Sequence, residues 1–222
     1  RKLGYNVLLG DTGGDPEIEN QYAALALNGR ADGLIQLDYT FPFSAEDEEL
    51  GKNVPMLSVC DRIADHKFPF IELDNFGAAR AMTQHLIELG HRKIGIICGQ
   101  RASQVYLDRL SGVIRALSEE DILFKDEWLV GEGYSYETGV EGITKLMELE
   151  SRPTAIICFS DHVSIGAIHG AKQLGLKIPD DISISGFDDI TVAQYFDPPI
   201  TTIRQPAFEI GEKAVSNLVN II

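Results

Sequence analysis

Basic residues are scarce: 19 Lys and Arg stand against 34 Asp and Glu in 222 residues, a formal net charge of −15. The cations are scattered rather than gathered into a patch, so these residues offer no footprint for a phosphate backbone. DNA binding by this stretch itself is therefore not expected. Long apolar runs are also lacking. None approaches the ~20 residues that span a bilayer, and the apolar part of "RKLGYNVLLG" is too short for a signal peptide. No membrane partner is expected. Cysteine is limited to Cys60, Cys98 and Cys158, an odd number, each in or beside a β-like apolar run. They read as buried free thiols in a reducing cytoplasm. There is no CxxC pair and no HExxH, and the five His residues are dispersed, so neither a metal nor a cofactor is implied. G-x-S-x-G is missing too, with no His in the order a hydrolase needs.

Short apolar runs alternate with amphipathic segments. Candidate strands are "YNVLL" (5–9), "GLIQL" (33–37), "PMLSVC" (55–60), "FIEL" (70–73), "IGIIC" (94–98), "WLV" (128–130), "AIICF" (155–159) and "ISIS" (182–185). Several are apolar at every position, as strands covered on both faces are, which predicts a parallel sheet. Helical spacing appears between them. Ala79, Met82, Leu86 and Leu89 recur at three and four, with Asp74 or Asn75 as N-cap and Gly90 as the stop. The same period places Leu107, Leu110, Ile114 and Leu117 on one stripe, and Val140, Ile143 and Met147 on another. Ile168, Ala171 and Leu174 repeat it ahead of Gly175, as do Ile210, Ala214 and Leu218 near the end. Strand–helix alternation predicts right-handed crossovers and a doubly wound α/β architecture. The acidic segment 38–55 interrupts the rhythm and turns helical late. "RKLG" reads as the tail of a helix, and the last helix has no terminator. A first βα unit is therefore expected to be missing.

Ligands of parallel α/β sheets sit beyond the carboxyl ends of the strands. The residues that follow the apolar runs are Asp38 and Tyr39, Asp61 and Arg62, Ser160 and Asp161, and Asp188 and Asp189. Neighbouring loops add Ser103, Arg109, Tyr134 and Tyr136. Taken singly, each has a plainer reading. Asp161 and Asp189 could each cap a helix, Arg109 could hold a salt bridge, and Tyr134 could be core. Their recurrence at the same end of successive strands favours a shared site. "GDTGGDP" (10–16) is a weak phosphate-loop candidate, carrying two Asp residues and no Lys. Carboxylates with an Arg and an aromatic suit hydroxylated guests: Asp accepts from hydroxyls, Arg donates, and a ring packs against a sugar or base.

Five segments carry a resemblance to a known family: "LDNFGAARAMTQHLIELGHRKIGII", "RLSGVIRAL", "PTAIICFSDHVSIGA", "LGLKIPDDISISGFDDI" and "DPPITTIRQPAFEIGEKAV". Together they resemble the effector-binding core of the LacI/GalR family of bacterial transcriptional repressors. The resemblance implies a type I periplasmic-binding-protein-like fold of two parallel-sheet lobes with an effector in the cleft between them. The first lobe would be residues 1–73 plus 203–222, and the second 74–202, with crossovers near "ELDN" and "TTIRQP". It further implies ligand-binding roles for Asp188, Arg109, Ser160, Asp161, Asp61, Arg62 and Tyr134, with Ser103 and Tyr39 at more variable pocket positions. The implied protein is a cytoplasmic, homodimeric sensor of a nucleoside (cytidine-like) or a sugar. It is not an enzyme, and operator DNA would be reached only through a helix-turn-helix headpiece missing here. "GQ" at Gly99 and Gln100 departs from the family's usual "GP". Two rivals remain: a periplasmic sugar-binding protein serving a transporter, and an α/β hydrolase with Asp61 or Asp161 as nucleophile.

Overall fold

The computed structural model describes residues 4–63 and 67–222. In chain order the elements are α1 (Pro16–Leu27), β1 (Leu34–Gln36), α2 (Glu48–Gly51), β2 (Met56–Val59), β3 (Phe70–Ile71), α3 (Asn75–Glu88), β4 (Ile94–Ile97) and α4 (Gln104–Glu119). They continue with β5 (Leu129–Val130), α5 (Tyr136–Glu148), β6 (Ala155–Cys158), α6 (Asp161–Gln173), β7 (Ser183–Ser185) and α7 (Ala207–Ile221). The chain divides into two compact units. The first comprises Arg1–Glu72 with Ala207–Ile222, the second Leu73–Pro206.

In the first unit a parallel sheet runs β1-β2-β3, with Leu34 opposite Met56 and Ser58 opposite Phe70. All four residues of β2 are buried, and they alternate between two cores. Met56 joins Ala23, Phe43 and Ile63 on one face, while Leu57 and Val59 meet Ala214 of α7 on the other. Helix α1, which the apolar spacing did not single out, starts where "GDTGGDP" ends. Asp15 accepts from the Glu17 N–H at 2.8 Å, and Pro16 occupies the first turn. The loop's own side chains take up its amides: Asp11 accepts from Gly13 and Thr12 from Gly14. The phosphate-loop reading loses its donors for that reason.

The second unit is a parallel sheet of order β5-β4-β6-β7 with helices on both faces. The period of two is explicit. Ile94, Ile96, Ala155 and Ile157 pack with Ala79, Met82, Leu86, Val113 and Leu117 of α3 and α4. Ile97, Ile156 and Cys158 turn the other way, onto Ile143, Leu146, Ala167 and Ile168 of α5 and α6. Each fully buried Ile contributes about 2 kcal/mol relative to exposure. Helix α3 is capped by Asp74, which accepts from the Gly77 N–H at 2.8 Å, and ends at Gly90 with φ 95°.

Four sequence expectations need correction. Tyr5–Leu9 forms no strand among the described residues, and Val7, Leu8 and Leu9 are 85, 70 and 84% exposed. Apolar character alone does not make a strand; a hydrogen-bonding neighbour does. Cys60 is exposed rather than buried, since its φ of 72° turns the chain away from the sheet after β2. On α4 the expected stripe is rotated: Leu107 and Ile114 are exposed, and Tyr106, Arg109, Val113 and Ala116 are buried. Gly112 sets this face, because a Cβ there would lie 2.3 Å from the Phe76 carbonyl oxygen of α3. Leu89 and Leu174 lie at helix ends and are exposed as well. Arg1–Leu3, which carry most of the helix-tail reading, lie outside the described residues.

Candidate functional site

The second unit brings five of the expected residues to the carboxyl ends of its strands, together with Arg109 from the first turns of α4. Arg109 is 5% exposed. Its Nε donates to Asn75 Oδ1 at 2.9 Å, and its Nη1 donates to the Phe159 carbonyl oxygen just beyond β6. Its guanidinium carbon stands 3.5 Å from the centroid of the Phe187 ring. A buried cation held by an amide oxygen, a backbone carbonyl and an aromatic face has little freedom left.

Asp188 follows Phe187 in a left-handed backbone with φ 119°, and Asp189 follows with φ 58°. Non-glycine residues in such conformations cost about 1–3 kcal/mol each and cluster at functional sites. Asp188 Oδ1 accepts from Gln205 Nε2 at 2.6 Å. Burial raises the Asp188 carboxyl above its ordinary range; the charge of Arg109 and the Gln205 hydrogen bond oppose that rise. Its neighbour Asp189 instead pairs with Arg204 at 2.5 Å.

Ser103 and Ser160 are both buried helix caps. Ser103 Oγ accepts from the Tyr106 N–H at 3.1 Å, and Ser160 Oγ accepts from the Val163 N–H at 3.2 Å. Capping uses an acceptor site and leaves each hydroxyl proton available to donate. The caps correct an expectation: Ser160, not Asp161, caps α6, and Asp189 precedes only a short 3-10 turn at Ala193–Tyr195. Asp161 is fully buried. Its Oδ1 accepts from the Thr202 hydroxyl at 2.6 Å and its Oδ2 from the Ile190 N–H at 2.8 Å. A carboxylate closed off in this way has no face for a nucleophilic attack. Tyr134 lies against Gly99, where a Cβ would come 2.0 Å from its Cζ, and packs on the α3–α4 core.

In the first unit Asp61 and Arg62 follow β2 after the single left-handed residue Cys60. Asp61 Oδ1 accepts from the Arg62 N–H at 3.0 Å. Arg62 forks onto Glu72, with Nε to Oε2 at 2.7 Å, and its guanidinium carbon stands 4.1 Å from the Phe70 ring centroid. Arg62 also lines a pocket with Ser58, Ile63, Lys67, Phe68 and Phe70. Tyr39 follows β1, its N–H donating to Asp38 at 2.7 Å. Among the described residues no group of three or more His, Cys, Asp and Glu could hold a metal ion.

Sequence reading did not single out Asn75, Phe187, Thr202 or Gln205 for the site, although these hold Arg109, Asp188 and Asp161. Their only local signal is adjacency: Phe187 precedes Asp188, and Thr202 and Gln205 fall in "TTIRQP".

Parallel α/β units of this kind carry polar residues at the strand ends, the place where ligands of such sheets bind. The family of the periplasmic binding protein-like domain matches residues 83–222. The HTH-type transcriptional repressor CytR of Escherichia coli K12 is 35% identical over 217 residues, covering 98% of this chain and 64% of that protein. The ribose operon repressor of Haemophilus influenzae is 38% identical over 227 residues, covering all of this chain and 67% of the repressor. The crystal structure of the transcription regulator CcpA of Lactococcus lactis superposes with a TM-score of 0.89 at 26% identity, covering 99% of this chain and 80% of that one. The chain belongs to the LacI family of transcriptional repressors, and its residues correspond to the periplasmic-binding-protein-like core. It spans about two thirds of the length of the curated relatives it matches.

Proposed function

We propose that this core senses a nucleoside or a sugar and regulates transcription through a helix-turn-helix segment outside these residues. The observation that carries the reading is the buried Arg109 fixed over the ring of Phe187, the residue immediately before Asp188, so that its charge acts on the Asp188 carboxyl at the strand ends of the second unit. An acceptor and a fork of donors side by side match the vicinal hydroxyls and ring oxygen of a sugar or ribose. Tyr134 packs against the ring of the guest, and Ser103 and Ser160 donate their hydroxyl protons. Asp61, Arg62 and Tyr39 of the first unit are further effector contacts, while Asp161 acts from behind the site. Likeness to a repressor named for the ribose operon and to CytR supports this class of effector.

The protein binds its effector without turning it over. The buried thiols Cys98 and Cys158 suit a reducing cytoplasm, and a homodimer would present two DNA-binding segments to a twofold operator. Control requires that the effector favour one conformation over another, with a coupling of about 1–3 kcal/mol. Calorimetry with cytidine, adenosine, ribose and common hexoses tests the reading. One of these should bind, and Asp188→Ala should abolish the heat. Silence from the whole set, or unchanged binding by Asp188→Ala, would refute it.

A further inference from the structure

The carboxylate of Asp161 sits where two limbs of chain meet. One limb, residues 186–190, carries the left-handed Asp188 and Asp189; the other, residues 201–205, returns alongside it. The two are stitched by backbone bonds from Gly186 to Thr201 and from Asp188 to Ile203, each 2.8 Å. Asp161 reaches both. Its Oδ2 takes the Ile190 N–H at 2.8 Å and its Oδ1 takes the Thr202 hydroxyl at 2.6 Å. The Thr202 hydroxyl oxygen in turn lies 3.4 Å from the Asp189 nitrogen, which donates to it. Fit is tight, since a Cβ on Gly186 would come 2.1 Å from Asp161 Oδ1. Few side chains bridge the start of a helix, a strained corner and a returning segment at once, and this one is fully buried while doing so.

We propose that Asp161 is a positioning residue: through Thr202 and Ile190 it locks the Asp188 corner onto the 201–205 segment, and so holds Asp188 against Gln205 and beside Arg109. An ordinary N-terminal carboxylate would face solvent or the first-turn amides of its helix. Asp161 leaves that task to Ser160 and spends both oxygens on the distant limbs. Arg204 grips only the second of the two consecutive left-handed aspartates, and the backbone bonds to Thr201 and Ile203 leave the Ile190 and Thr202 contacts to Asp161. Without the latch, the corner would relax toward ordinary backbone and carry the Asp188 carboxylate off Gln205.

Thr202→Val removes the hydroxyl at nearly constant volume, and Thr202→Ser keeps it. The readout is the solvent exchange of the Gln205 side-chain amide in the ligand-free chain, followed by nuclear magnetic resonance. Thr202→Val should accelerate that exchange by about tenfold or more while helices α3 to α5 keep their protection, and Thr202→Ser should match the parent. Asp161→Ala, which removes both acceptor oxygens, should behave like Thr202→Val. Parental exchange in Thr202→Val overturns the proposal, as does a loss spread evenly over the unit. A second arm rests on the reading of Asp188 as a ligand group and uses cytidine, adenosine and ribose as probes. Thr202→Val should weaken whichever binds by about tenfold, and Thr202→Ser should not. If none of the three binds the parent, the effector reading fails, while the Gln205 exchange still decides the role of Asp161.

Discussion

The Arg109 guanidinium lies over the Phe187 ring, its central carbon 3.5 Å from the ring centroid, while its Nε is held by Asn75 at 2.9 Å. A planar fork is needed for both contacts at once, which an ammonium cannot supply. Arg109→Lys should therefore destabilise the protein by about 2 kcal/mol even though the charge is kept. Urea unfolding at neutral pH measures this. Phe187 is 1% exposed, and Phe187→Ala should cost more, about 3–5 kcal/mol.

Asp188 is expected to weaken the fold at neutral pH. Its folded carboxyl is raised above the unfolded value of 3.8, chiefly by burial. The native state then binds the proton more readily than the unfolded chain does, so stability falls as pH rises through the window above 3.8. Asp188→Asn keeps an acceptor for Gln205 and removes the charge. Thermal unfolding from pH 4 to 7 should show the variant gaining on the parent as pH rises, with effector binding lost. A parent whose stability climbs through that window more steeply than the variant's would contradict the assignment.

Two glycine substitutions should move stability in opposite directions. Gly166 of α6 lies so close to α5 that a Cβ would sit 1.9 Å from the Tyr136 carbonyl oxygen, and backbone cannot move aside cheaply. Gly166→Ala should cost about 2–3 kcal/mol despite the better helix propensity. Gly211 of α7 has nothing within 4 Å of its added Cβ. Gly211→Ala should stabilise by about 0.5–1 kcal/mol, measurable by the same urea titration.

Gly99→Ala separates binding from stability. Its Cβ would overlap the outer end of the Tyr134 ring, 2.0 Å from Cζ, and the ring can swing away at modest cost. If Tyr134 packs against the effector, calorimetric affinity should drop by about tenfold or more. The melting temperature should fall by only a few degrees.

A half-buried His offers a further check. His91 sits after α3 with its Nδ1 2.9 Å from Thr154 Oγ1 and its Nε2 3.1 Å from Ser183 Oγ. Burial lowers its affinity for a proton below the usual 6.5. Between the lowered folded value and 6.5 the unfolded chain takes up the proton preferentially, so stability drops as pH falls below 6.5. His91→Gln should flatten that drop in a series of urea titrations from pH 7 to 5.

Much of the fold was legible because its causes are local. Short runs apolar at every position announced β4 and β6, and the period of three and four announced α3, α5 and α7 with the Asp74 cap and the Gly90 stop. Caps, turns and amphipathic faces depend on residues within a few positions of one another, so a linear chain displays them. The placing of polar residues after strands was legible for the same reason. Tyr5–Leu9 misled because a strand also needs a neighbour that its own residues do not specify.

What the sequence by itself determined is therefore the alternation of strands and helices and the identity of the residues at the strand ends. Only the tertiary structure decided what those residues do. Arg109 is oriented by Asn75 and Phe159, 34 and 50 positions away, and Asp161 is closed off by Thr202, 41 positions away. The buried face of α4 was settled by one close approach to α3 at Gly112. Partners at such separations meet only once sheet and helices have packed, and no periodicity along the chain encodes which of them will.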